Sequence, residues 1–286
     1  MSNTPSLSWN RQDIEQRFFF PGGRHTRVNS FFSSLVGMVF AIGFYLVLLP
    51  FSESTISTNF TRQGPIPYAI VFFTGWSLAI LLIKWRKLAF QQKSLTYRVV
   101  PNDPDFILSG GNADFVFDNI YQIVDDPKHF ILFNRINVAL SNLKNLGRVG
   151  DVGEILQAQA EQDETALDTS YSLLVGFIWA IPVLGFIGTV LGLSVAIGGF
   201  AEVLAQSDTN DLEPIKFELR KMTAGLGMAF VTTLQALVAA LFLQLMITFL
   251  KKSEEEFLEK CSEYCSRNIV NRLRILPFSA TKPDGE

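Results

Sequence analysis

Residues 169–201 read TSYSLLVGFIWAIPVLGFIGTVLGLSVAIGGFA, and residues 222–250 read MTAGLGMAFVTTLQALVAALFLQLMITFL. Neither stretch contains a charged side chain, and each exceeds the roughly 20 apolar residues that cross a bilayer as a helix. Both carry small residues on one helical face. Gly185, Gly188, Thr189, Gly192, Ala196 and Gly199 recur at spacings of three or four, and so do Gly225, Ala229, Thr232, Ala236 and Ala239. Such stripes let helix backbones approach closely inside a membrane. The two segments therefore read as a helical hairpin packed along much of its length.

If Gln206–Asp211 is the turn of that hairpin, its centre falls near residue 208. Thr189 then lies 19 positions before the centre and Thr223 lies 15 after it. At about 1.5 Å per residue, the two hydroxyls are predicted at depths only a few ångströms apart. A threonine inside a membrane either bonds its own helix carbonyl or helps line a wet path. Two at matched depth beside glycines favour the lining role.

Two further uncharged runs, 28–52 and 63–83, bring the total to 108 residues in a chain of 286. That is too much for one soluble core, and the mean hydropathy of +0.26 agrees. The predicted class is all-α: a polytopic membrane protein with four transmembrane helices and cytoplasmic helical extensions. The net charge of −3 gives no electrostatic reason to expect nucleic acid.

The N-terminal segment carries Arg11, Arg17, Arg24 and Arg27, and the second run ends in Lys84, Trp85, Arg86 and Lys87. The positive-inside rule puts both of these in the cytosol. It also puts both termini inside and the connections 51–64 and 206–211 outside. The expected organisation is a cytoplasmic segment 1–28, a membrane hairpin 29–85, a cytoplasmic helical region 86–170, a core hairpin 171–250 and a cytoplasmic helical tail 251–286. In the region 86–170, Phe133, Ile136, Leu140 and Leu143 form one amphipathic face. In the tail, Phe257, Cys261, Tyr264 and Cys265 form a narrow apolar stripe, and the final SATKPDGE reads as disordered.

No enzyme is expected. The glycines of GFIGTVLG lie inside an uncharged run and serve packing rather than phosphate binding. His25 and His129 lack ligand spacing, and Cys261 with Cys265 falls short of a zinc set. No metal and no cofactor is predicted. None of the four runs holds an Asp or Glu in its middle, whereas proton pathways usually include an intramembrane ionisable group. If the chain helps conduct protons, a partner must bring that group.

The residues resemble the MotA/TolQ/ExbB proton-channel family. Pro182, Gly185, Gly188, Thr189, Val190 and Gly192 resemble the Pro-x-x-Gly-x-x-Gly-Thr-Val-x-Gly core of its penultimate helix. FELRKMTAGLGMAFVTT resembles the start of its last helix, with Thr223, Ala224, Gly225, Leu226 and Gly227 at the Thr-Ala-x-Gly-Leu signature. Glu218 matches an acidic position at the outer mouth, while Arg220 and Lys221 depart from the apolar residues expected there. The resemblance covers roughly residues 150–250. It implies a homopentamer in the bacterial inner membrane, surrounding a single-span partner of the ExbD/TolR/MotB kind that carries an intramembrane Asp. Ion flow, of protons above all, would then drive mechanical work, as in a motor stator or in protein transport. Thr189, Thr223 and Glu218 would line the ion pathway. Pro182, Gly185, Gly188, Gly192, Gly225 and Gly227 would serve helix packing, with lipid around the whole. The alternative is a membrane scaffold or assembly protein that passes no ions. A solute carrier would show internal repeats and broken helices.

Overall fold

The computed structural model describes residues 7–18, 20, 22–61, 64–101, 106–146, 150–206 and 213–273. Among these are ten α-helices: α1 (Trp9–Gln12), α2 (Ile14–Arg17), α3 (Ser30–Leu48), α4 (Thr55–Thr61), α5 (Ile66–Gln92), α6 (Ala113–Ile123), α7 (Ile131–Leu146), α8 (Asp151–Ser170), α9 (Ser172–Gln206) and α10 (Glu213–Asn268). The described residues contain no extended strand, only two isolated bridges, Leu7 with Val124 and Leu108 with Leu273. The expected turn beyond Gln206, the break at Gly147 and the final SATKPDGE lie outside the described residues.

Four helical stretches are long and apolar enough to cross a membrane: Ser30–Phe51, Ile66–Thr96, Asp151–Gly199 and Leu219–Arg272. The chain divides into two compact units. An apolar unit comprises 28–85 and 170–251, and a polar unit comprises 1–27, 86–169 and 252–286. The boundaries fall close to where the uncharged runs stop, because charged side chains are costly where water is absent.

In the apolar unit, α3 starts at an Asn29 cap, whose side chain accepts from the amides of Phe31 and Phe32 at 3.0 and 3.3 Å. It packs against α5 through glycine. A Cβ at Gly37 would lie 2.5 Å from Trp76 Cα, so only glycine admits that approach. Trp76 Nε1 donates to Ser33 Oγ at 3.0 Å across the same seam. Phe73 and Trp76 stack on Phe177 with centroids 5.1 and 4.7 Å apart, which ties α5 to α9.

The polar unit has its own core. Phe133, Ile136, Leu140 and Leu143 are buried on one face of α7. Phe257, Cys261 and Cys265 are buried from the end of α10. Arg135, fully enclosed, donates from Nε to Asp163 at 2.6 Å and from Nη1 to Ser262 at 2.8 Å, joining α7, α8 and α10.

The basic cluster after the second run turns partly inward. Trp85 and Arg86 are exposed, but Lys84 and Lys87 are buried. Three residues apart on a helix, they share an inward face. Within the apolar unit, Lys84 Nζ donates to Ser170 Oγ at 3.0 Å and lies 4.3 Å from the centre of the Tyr171 ring. Within the polar unit, Lys87 pairs with Glu15 and lies 3.6 Å from Asp13. The N-terminal segment is thereby folded as α1 and α2, with Trp9 buried against Phe90, His129 and Phe130.

Candidate functional site

The candidate site is the seam between α9 and α10. Its register can be read from the glycines. A Cβ at Gly185 would stand 2.5 Å from Ala236 Cβ, one at Gly188 would stand 2.9 Å from Thr232 Cγ2, and one at Gly192 would stand 3.2 Å from Ala229 Cβ. A Cβ at Gly225 would lie 3.2 Å from Ala196. The helices are therefore antiparallel and in near backbone contact over more than ten residues. Pro182 stands inside α9 without interrupting it. Gly227 is different: nothing lies within 4 Å of where its Cβ would be, so it takes no part in this seam.

The pairing of 192 with 229 centres the hairpin near residues 210–211, not 208. A shift of two or three residues lengthens one arm and shortens the other, so the offset between paired positions doubles. Thr189 is level with Thr232 and Thr233, and Thr223 lies about nine residues, roughly 13 Å, nearer the start of α10. The expected match in depth between Thr189 and Thr223 is therefore not found. Thr223 is exposed, and its hydroxyl bonds the Leu219 carbonyl at 2.8 Å. Glu218 lies a further turn and a half away on α10.

Thr233 is the residue that sequence reasoning missed. Thr189 Oγ1 and Thr233 Oγ1 share a hydrogen bond across the seam. Thr189 Oγ1 also lies 3.2 Å from the carbonyls of Gly185 and Ala229, and Thr233 Oγ1 donates to Gly185 O at 3.0 Å. Both side chains are half-buried. Each hydroxyl has one proton to donate and two lone pairs to accept with. The pair has lone pairs to accept from a carboxylic acid or a protonated water, and it donates to a carboxylate by giving up one of its present bonds to a carbonyl. The signal for Thr233 was present in the sequence as the dipeptide Thr232–Thr233 inside an apolar run, one turn from Ala229 and Ala236. Thr232 turns into the contact with Gly188 and is buried.

A third contact sets the level of this pair. Ile66, in the first turn of α5, lies 3.2 Å from the position a Cβ on Gly188 would take. Thr189 and Thr233 are thus at the level where α5 begins. Beyond it α9 runs on to Gln206, some 18 residues or roughly 27 Å. Thr223 and Glu218 belong to this overreaching part of the hairpin. The outward faces of α9 and α10 are broadly apolar: Phe186, Val190 and Phe230 are 65%, 50% and 59% exposed. They point away from the seam rather than walling it.

Four apolar helices, two of them in glycine-mediated contact around a hydroxyl pair, define a polytopic helical membrane protein. Residues 128–263, from the end of the segment before α7 to well into α10, match the MotA/TolQ/ExbB proton channel family. It is a multi-pass membrane subunit of the ion-channel type. No curated protein and no solved structure matches the chain.

Proposed function

We propose that this chain is the channel subunit of an ion-driven, energy-transducing complex of the bacterial inner membrane, with protons as the coupling ion. The polar unit and both termini lie in the cytosol. Five copies surround a single-span partner whose intramembrane Asp reaches the α9–α10 seam. The observation that carries this reading is the hydroxyl pair Thr189–Thr233, set in a seam of glycine and alanine with no acid of its own. A carboxylate brought to that seam meets two hydroxyls able to hold it in either protonation state.

Thr223 and Glu218 take a second, outer role in this reading, as stations on the way to the pair along α10. Each elementary charge moving through about 100 mV releases roughly 2.3 kcal/mol, enough to drive a conformational step when leakage is blocked. The apolar side chains Phe186, Val190 and Phe230 form the contact faces toward neighbouring copies and lipid.

The test is reconstitution. The chain and a single-span, Asp-bearing partner are placed together in liposomes under a pH gradient with a valinomycin-clamped potential. Proton uptake that needs both proteins, and that stops when the partner's Asp is replaced by Asn, is the expected result. A complex that forms with the same stoichiometry but passes no ions with either partner variant identifies a scaffold and overturns the channel reading.

A further inference from the structure

The apolar unit contains a second feature that the seam does not use. A groove of about 630 Å³ runs between α3, α4, α5 and α10. Its size is that of a small-molecule site, but its lining is almost wholly apolar. The polar exceptions are Asn59, Thr74 and Gln235. Thr74 is accounted for, since its hydroxyl bonds the Ile70 carbonyl at 2.7 Å.

Gln235 is not accounted for. Its Nε2 donates weakly to the Asn59 carbonyl at 3.5 Å, and its Oε1 is buried with no hydrogen-bond partner. An amide oxygen shut away from water without a donor costs on the order of 1–3 kcal/mol. The site is therefore short of one donor group.

The groove is polarised along its length. Asn59 and Gln235 lie at the end covered by α4, the short helix in the connection between α3 and α5. Phe44 marks the same end, since its ring meets Phe60 of α4 with centroids 5.1 Å apart. From there the lining descends through Val238 to Phe242 on α10 and through Thr74 to Leu78 on α5. From Gln235 to Phe242 is seven residues, roughly 10 Å along the helix. Leu234, Val238 and Phe242 are all more than half exposed, so the groove is open along one side. In a membrane-spanning unit that side faces the bilayer or a neighbour.

A polar end beneath α4, an apolar trough leading away from it along α5 and α10, and one missing hydrogen-bond donor together describe an amphiphile. We propose that the groove holds one phospholipid of the leaflet on the α4 side. An acyl chain lies against Val238, Leu78 and Phe242, and a headgroup hydroxyl or ammonium donates to Gln235 Oε1. The lipid joins the α3–α4–α5 hairpin to α10 where the protein leaves a gap. This inference rests on the membrane-spanning helices alone and is independent of ion conduction.

The test uses the full chain in nanodiscs. A phospholipid with a diazirine at mid-chain is photolysed, and labelled peptides are mapped by mass spectrometry. Phosphatidylethanolamine, which has an N–H donor, is compared with phosphatidylcholine, which has none. Labelling concentrated severalfold on α10 231–242 and α5 70–78 over the exposed faces of α9 is expected. The ethanolamine lipid should be favoured, and Gln235→Leu should erase that preference while keeping the chain contact. Ala239→Phe and, from the facing wall, Val71→Phe should each fill the trough and reduce the label at least severalfold, with folding checked by circular dichroism and size exclusion. Uniform labelling of all outward faces overturns the proposal, and so does undiminished label in a folded trough-filling variant. Cross-links between two copies through Leu234→Cys, in place of lipid label, overturn it as well by assigning the groove to a second copy of the chain.

Discussion

His25 shows how much one side chain is asked to do in the polar unit. Its backbone adopts φ 59°, a left-handed conformation that non-glycine residues seldom hold. Its ring is turned inward, with Nδ1 3.9 Å from Asp163. Burial lowers its pKa below 6.5, against the opposing pull of Asp163 and with further lowering from Arg24, Arg135 and His129. The unfolded chain takes up the proton near 6.5 and the folded chain only at lower pH. The polar unit is therefore stabilised above pH 6.5 and loses that contribution as pH falls through the folded value. Thermal unfolding in detergent between pH 8 and 5 should show this decline, and His25→Gln should flatten it. A wild-type slope retained in the variant would place the titration elsewhere. Lys87 makes a second residue-scale case. With Glu15 fully buried against it, Lys87→Met should strand a carboxylate and cost about 3–5 kcal/mol in a denaturant titration. A loss under 1 kcal/mol would mean that the pair is not enclosed.

At the scale of elements, the α9–α10 seam separates two kinds of glycine. Gly185→Ala would put a methyl 2.5 Å from Ala236 Cβ, so the helices must part, at a cost of about 1–3 kcal/mol. Gly227→Ala meets nothing and should leave stability unchanged or slightly raised, since alanine is the better helix former by about 1 kcal/mol. Unfolding of the two variants side by side checks the register: equal effects would contradict it. The sequence carried the helices and much of the seam, because uncharged length and small-residue spacing are local properties. Gly185, Gly188, Gly192 and Gly225 can be picked out by period alone. The hydroxyl pairing could not be, because it depends on where the turn is centred, and an error of two or three residues there moves the partner of Thr189 by more than a helical turn. The inward Lys84 and Lys87 were hidden for a related reason. A basic cluster after an apolar run has the same composition whether it faces headgroups or buried carboxylates, and the carboxylates that hold Lys87 lie more than seventy residues away in sequence.

On the scale of the whole molecule, the match of residues 128–263 to the MotA/TolQ/ExbB proton channel family and four helices long and apolar enough to cross a membrane fit a subunit built to work with others. The chain's own contacts leave the outward faces of α9 and α10 uncovered, with Trp179, Val195, Phe217 and Phe249 each at least 70% exposed. An assembly would cover part of this surface and lipid the rest. Beyond the level of Ile66, the first residue of α5, α9 runs on for some 18 residues. Replacing Phe217 and Val195 together by Ser should therefore weaken association between copies and leave the secondary structure intact. Native mass spectrometry reads the first and circular dichroism the second. An unchanged oligomer would assign these faces to lipid.

The account turns on the hydroxyl pair in the seam, and proton flux through the partnered complex in liposomes tests it most directly. Thr189→Val and Thr233→Val, which keep shape but remove the hydroxyl, should each reduce flux at least tenfold. Thr189→Ser and Thr233→Ser, which keep the hydroxyl, should retain most of it. Flux that is undiminished in both valine variants, with the complex still assembled, would contradict the claim that ions cross at this seam.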